Sequence, residues 1–191
     1  MKKTLFIACI LLVAVVSTAC INSFAVQDLN NKAQMYMQKG DYTQAIERLK
    51  SSIDLAPSVY ETHYNLAVAY TAAEDYVNAV EEYKKAIEIK PDSADAYYSL
   101  ATAENNLSVD MQQGRVRLNQ DEQLYNAKAE DIDFSEKYEM SEKEQNLVSE
   151  LNNSAVLNYK KYLELKPDAE DKAEIEQQIQ RIQSPKQNPE E

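Results

Sequence analysis

Two prolines 34 residues apart, Pro57 and Pro91, each close the same pattern. Leu29, Ala33, Tyr36, Gly40, Tyr42, Ala45, Leu49, Leu55 and Pro57 recur 34 positions later as His63, Ala67, Tyr70, Glu74, Tyr76, Ala79, Tyr83, Ile89 and Pro91. Seven of these nine pairs are identical or exchange one bulky apolar or aromatic residue for another. The exceptions are Leu29/His63 and Gly40/Glu74. A fixed period of this length means that one supersecondary unit is copied along the chain. Such a unit cannot bury its apolar face alone and must stack on its neighbours.

Within each unit the apolar residues fall at helical spacing, Gly40-Asp41 marks a turn between two helices, and proline ends the second helix because it can neither donate nor continue the ladder. Only two glycines and five prolines occur in 191 residues, too few turn signals for an all-β design. The pattern resembles the tetratricopeptide repeat. That resemblance implies an all-α right-handed superhelix of helix–turn–helix units that holds other molecules. Repeat 1 is expected over 26–59 and repeat 2 over 60–93. Ala67 and Ala79 are small where two helices must cross closely. His63, the only histidine, has no cysteine or second histidine to share a metal and reads as a half-buried packing residue.

The third unit begins with Ala94, Tyr97, Leu100 and Ala101. Its second helix appears only at Ala155, Tyr159, Tyr162, Leu165 and Pro167. Repeat 3 is therefore expected over 94–167, split by an insertion over 108–149. Leu107, Met111, Gly114, Leu118 and Tyr125 continue a helical stripe, and Ser141-Glu142-Lys143-Glu144 has the form of a capping box. These features predict a helical hairpin of two long helices, about 94–129 and 142–166, projecting an arm roughly 30 Å long. At its tip Phe134 and Tyr138 are candidate contact residues. Ile175, Ile179 and Ile182 mark one side of a capping helix over 168–183, and 184–191 reads as a tail.

The N-terminus has the form of a targeting segment. Lys2 and Lys3 precede an uncharged run from Leu5 to Val16, short for a membrane span and suited to a secretory signal. Val16-Ser17-Thr18-Ala19-Cys20 resembles the box of a bacterial lipoprotein, with residues 1–19 removed and Cys20 lipidated. Residues 20–25 then form a linker, and by the same resemblance Ile21 permits outer-membrane sorting. The alternative is plain cleavage after Ala25, giving a soluble exported protein. Cys9 and Cys20 are the only cysteines, so a mature chain has no internal disulfide.

The formal charge is −12, and the lysines at 2 and 3 are the only charges in residues 1–19. An acidic body argues against nucleic acid. Two glycines cannot build a phosphate loop. Asp131, Asp133, Ser135 and Glu142 are spaced like a calcium loop, but Glu136 stands where its sharp turn needs glycine. No metal, cofactor or catalysis is expected. The repeat family lines its concave face with the first helix of each unit, which implies a groove of Asn30, Asn31, Gln34, Met37, Tyr64, Asn65, Val68, Thr71, Tyr98, Ser99, Thr102 and Asn105. None is basic, so no carboxylate clamp is expected at these positions. The expected function is a non-enzymatic protein or peptide scaffold, anchored through Cys20 on the extracytoplasmic side of a bacterial membrane and organising an envelope assembly. Homo-oligomerisation through the arm is open. The alternative is a ligand-binding accessory component of a transport system.

Overall fold

The computed structural model describes residues 23–128, 130, 132 and 138–184. The first helix, α1, covers residues 23–38. It is followed by α2 (Tyr42–Leu55), α3 (Tyr60–Ala72), α4 (Tyr76–Ile89) and α5 (Ala94–Gln112). A two-stranded antiparallel ribbon, β1 (Val116–Leu118) and β2 (Leu124–Asn126), comes next, then α6 (Glu142–Leu165) and α7 (Lys172–Gln183). The helices pair as antiparallel hairpins stacked side by side, and among the described residues none is long and apolar enough to cross a membrane.

The local grammar repeats with the sequence. Asp41 and Asp75 cap α2 and α4, each accepting from the backbone N–H three residues on. The prolines follow the C-caps Ala56, Lys90 and Lys166, whose N–H groups still reach the carbonyls of Ser52, Ala86 and Tyr162. At the turn inside repeat 1, Gly40 takes φ +74° and the bonds Gly40 N–Met37 O and Asp41 N–Tyr36 O close a Schellman motif. Glu74 closes the equivalent turn with the same two bonds, at φ +59°. Ala33, Ala67 and Ala101 recur at 34-residue steps and are buried, as are Ala45, Ala79 and Ala155 on the partner helices. Their lack of bulk lets each helix pair approach closely.

One core runs through repeats 1 and 2 into the far end of repeat 3, from Leu49, Leu66 and Tyr83 to Leu107, Met111 and Val148. A second joins α5, α6 and α7 through Ala101, Val156, Tyr159, Ile175 and Ile179. His63 is buried rather than half-buried. Its Nδ1 lies 2.6 Å from Glu82 Oε2 and its Nε2 lies 2.8 Å from the Pro57 carbonyl. Lys85 binds the other Glu82 oxygen at 2.8 Å. The ring thereby ties the loop between repeats 1 and 2 to α4.

The insertion departs from the expected arm. α5 stops at Gln112 instead of running to 129, because Gly114 takes φ +71° and a third Schellman motif, Gly114 N–Met111 O with Arg115 N–Asp110 O, ends the helix. Leu107 and Met111 lie on α5 as the stripe predicts, but Leu118 and Tyr125 lie on the ribbon. The chain turns back because its apolar residues have a core to join: Val116 is buried there, and Leu124, Met140 and Leu147 pack against it. The return helix starts where expected. Ser141 and Glu144 form both halves of the capping box. The Glu144 carboxylate also accepts from the Leu118 backbone N–H and the Tyr138 hydroxyl, each at 3.1 Å. Burial alone would raise the Glu144 carboxyl. The bonds from Ser141, Leu118 and Tyr138 outweigh it and hold the group below its ordinary value.

Candidate protein-interaction surface

Three helices, α3, α5 and α7, carry the surface. On α3, Tyr64 stacks on Tyr60 with ring centroids 5.8 Å apart, meets the edge of Tyr83 at 5.7 Å, and shares a 3.3 Å hydroxyl contact with Ser99 of α5. On α5, Tyr98 is 37% exposed although its ring rests on Tyr159 and Tyr162 of α6, at 5.9 and 5.3 Å. Each supporting ring is pinned by its hydroxyl. Tyr159 meets Thr102 Oγ1 at 3.0 Å, and Tyr162 donates to Asp171 at 2.7 Å. The bond to the Asp171 carboxylate, with burial, pushes the Tyr162 phenol up to about 12. Burial likewise raises Tyr159 and Tyr83, so these phenols stay protonated.

The expected groove residues separate into groups. Tyr98, Thr102 and Asn105 converge with Asn106, Tyr159, Gln177, Gln178 and Arg181 on a cleft of about 500 Å³ between α5 and α7. Tyr64 and Ser99 engage each other beside it. Asn65 is half-buried on α3, and Val68, also half-buried, packs on the main core. Asn31 and Gln34 are exposed on α1. Asn30 turns inward: its Nδ2 donates to Val26 O, Ser52 Oγ and Thr62 Oγ1 at 2.9 to 3.0 Å and bonds α1 to α2 and α3. Tyr138 is half-buried, not a free tip. Arg117 lies over its ring at 4.7 Å, and the ring covers Gly114 so closely that a Cβ there would sit 2.7 Å from Cγ. Phe134 and Cys20 lie outside the described residues.

Sequence reasoning missed the contribution of α7. Gln177, Gln178 and Arg181 face the cleft because α7 packs on α6 and sets these residues across from α5. The signal was present in the polar residues between Ile175, Ile179 and Ile182. Also missed was Glu104, fully buried between α5 and α6, which stands where repeats 1 and 2 have Tyr36 and Tyr70. Ser154 and Asn158 donate to its two oxygens at 2.7 and 2.8 Å. Burial raises its carboxyl above the ordinary range against those two bonds.

Stacked helical hairpins with a side-chain-lined face define a helical repeat protein of the solenoid kind. Residues 30–94 match the tetratricopeptide repeat family model, and the fold of the chain is that of tetratricopeptide-repeat domains. Its fold is similar to the second such domain of human RPAP3, solved in complex with the HSP70 peptide SGPTIEEVD. The TM-score is 0.58 at 15% identity, over 86% of this chain and 99% of that one. The Arabidopsis OM64 domain gives 0.58 at 14% identity over 84% and 98%. The Sgt2 domain from Aspergillus fumigatus gives 0.55 at 15% over 82% and 77%. No curated protein sequence matches the chain.

Proposed function

We propose that this protein is a non-catalytic adaptor that holds an extended polypeptide segment against α3, α5 and α7. The observation that carries the reading is the cleft around Tyr98. An exposed ring on a rigid aromatic bed gives contact area at low entropy cost. The neighbouring amides of Asn105, Gln177 and Gln178 can each donate to and accept from a peptide backbone. The peptide bound by the RPAP3 domain of the same fold supports it. Lipidation of Cys20 would tether the adaptor to the extracytoplasmic side of a bacterial membrane, where it would organise an envelope assembly. The pattern of residues 1–20 supports that location.

Crosslinking and capture from native membranes test the groove. Tyr98→Ala combined with Asn105→Ala is expected to lose the partners retained by the parent chain, with circular dichroism unchanged. Retention of every partner by a folded double variant would refute the groove reading. The tether is tested separately by metabolic labelling with palmitate. Label is expected on the parent and absent from Cys20→Ser, and an unlabelled parent would leave cleavage near Ala25.

A further inference from the structure

The 34-residue frame that runs from Gly40 to Glu74 places the next turn at Ser108, and the turn comes six residues later, at Gly114. α5 is 19 residues long where α3 is 13, and α7, only 12 residues, does not follow it to its end. The last turns of α5 therefore form one wall of a second cleft of about 530 Å³, with Asn152 of α6 opposite and the C-terminal end of α7 as the third side. That volume lies in the range of small-molecule sites.

Its lining has a definite chemistry. Asn105, Gln112, Asn152, Gln178 and Gln183 supply amides, and Val109 and Ile182 supply an apolar strip. Arg181 is the single ionised side chain, and no Asp or Glu lines the cleft although the chain carries a net −12. Among the described residues the Arg181 guanidinium has no carboxylate partner within ion-pair distance. Each amide pairs a donor with an acceptor, the match for a hydroxyl group that does both. A guanidinium offers a planar fork to a carboxylate. One cation suits a single negative charge; a phosphate ester, carrying nearly two, would lack a second. An apolar ligand would strip water from five amides and return no hydrogen bonds.

We propose that this cleft binds a small monocarboxylate bearing several hydroxyls, of the sugar-acid class, with its carboxylate on Arg181 and its ring face on Val109 and Ile182. The site adjoins the polypeptide groove and shares Asn105, Gln178 and Arg181 with it.

Amide chemical-shift titration of the full chain tests it, with glucuronate as the probe and glucose and acetate as controls. Glucuronate is expected to shift Asn152, Gln178 and Arg181 and to bind at least about tenfold more tightly than either control. Arg181→Gln is expected to reduce glucuronate to the level of glucose. Val109→Phe, which fills the cleft from a half-exposed position, is expected to abolish binding while partner capture through Tyr98 persists. The proposal fails if glucuronate shifts none of these residues, if glucose or acetate matches it, or if folded Val109→Phe binds it like the parent. Loss of capture by Tyr98→Ala with glucuronate binding intact would bear only on the groove.

Discussion

Glu74 is the residue at which this chain breaks the rule of its own repeat. The same Schellman turn is closed by Gly40 in repeat 1 and Gly114 in repeat 3, whereas Glu74 holds φ +59° with a side chain. A left-handed conformation costs a non-glycine residue about 1–2 kcal/mol, partly offset by the extra freedom glycine has when unfolded. The side chain is exposed, and its charge lies on the side of the turn where it raises Asp110. Glu74→Gly is therefore expected to stabilise the protein by about 0.5–1 kcal/mol, read from urea unfolding. Glu104 is the opposite case, a residue that fits its bonds but carries a charge in the wrong place. Its folded carboxyl lies above its unfolded value, so the folded chain binds the proton more tightly. Stability is thus undiminished below the ordinary carboxylate range and falls as pH rises toward the raised folded value. Glu104→Gln can accept from Asn158 and donate to Ser154. It is expected to be more stable than the parent at neutral pH, with the advantage vanishing in acid. A constant difference across that window would contradict the assignment.

At the scale of elements, the paired helices were legible because their signals are local: the 34-residue period, aspartate caps, prolines after the C-caps, and the Ser141 capping box. The insertion was not. A stripe through Leu107, Met111, Gly114, Leu118 and Tyr125 fits a helix by spacing, and Gly114, of a residue type that commonly ends helices, reads in it as a member. What decides it is tertiary: Tyr138, 24 positions later, occupies the place of the missing side chain. Gly114→Ala is accordingly expected to cost about 2–4 kcal/mol, from a left-handed backbone plus displacement of the ring. Gly40→Ala has the same backbone strain with open space around it and is expected to cost about 1–2 kcal/mol. Thermal unfolding of the pair separates conformation from contact. The site was legible in part for a related reason. Tyr98, Thr102 and Asn105 follow from the repeat frame, whereas Asn30 faces inward because Ser52 and Thr62 offer it partners that no spacing reveals.

Across the whole molecule, each repeat is stabilised by its neighbours, and α7 ends the series by covering Ala101, Val156 and Tyr159 with Ile175 and Ile179. Replacing both isoleucines with serine is expected to destabilise repeat 3 by several kcal/mol, at roughly 2 kcal/mol per buried aliphatic side chain. Hydrogen exchange should rise first in α5 and α6, with α1 to α3 still protected. Repeats 1 and 2 close their hairpins across a few residues, whereas repeat 3 must bring α5 and α6 together across residues 113–141. Glu104 finds Asn158, and Lys166 finds Asp95, only after that closure. A connection roughly ten times longer than the 73–75 turn adds about 2 kcal/mol of loop entropy to the step that joins the two helices. The ribbon and the Tyr138 contact hold the strands of that connection together, so the insertion acts on time as well as on shape. A chain emerging from its N-terminus would complete repeats 1 and 2 early and wait on the insertion before the Tyr98 cleft exists at all. Partner capture would then be the last competence the molecule acquires.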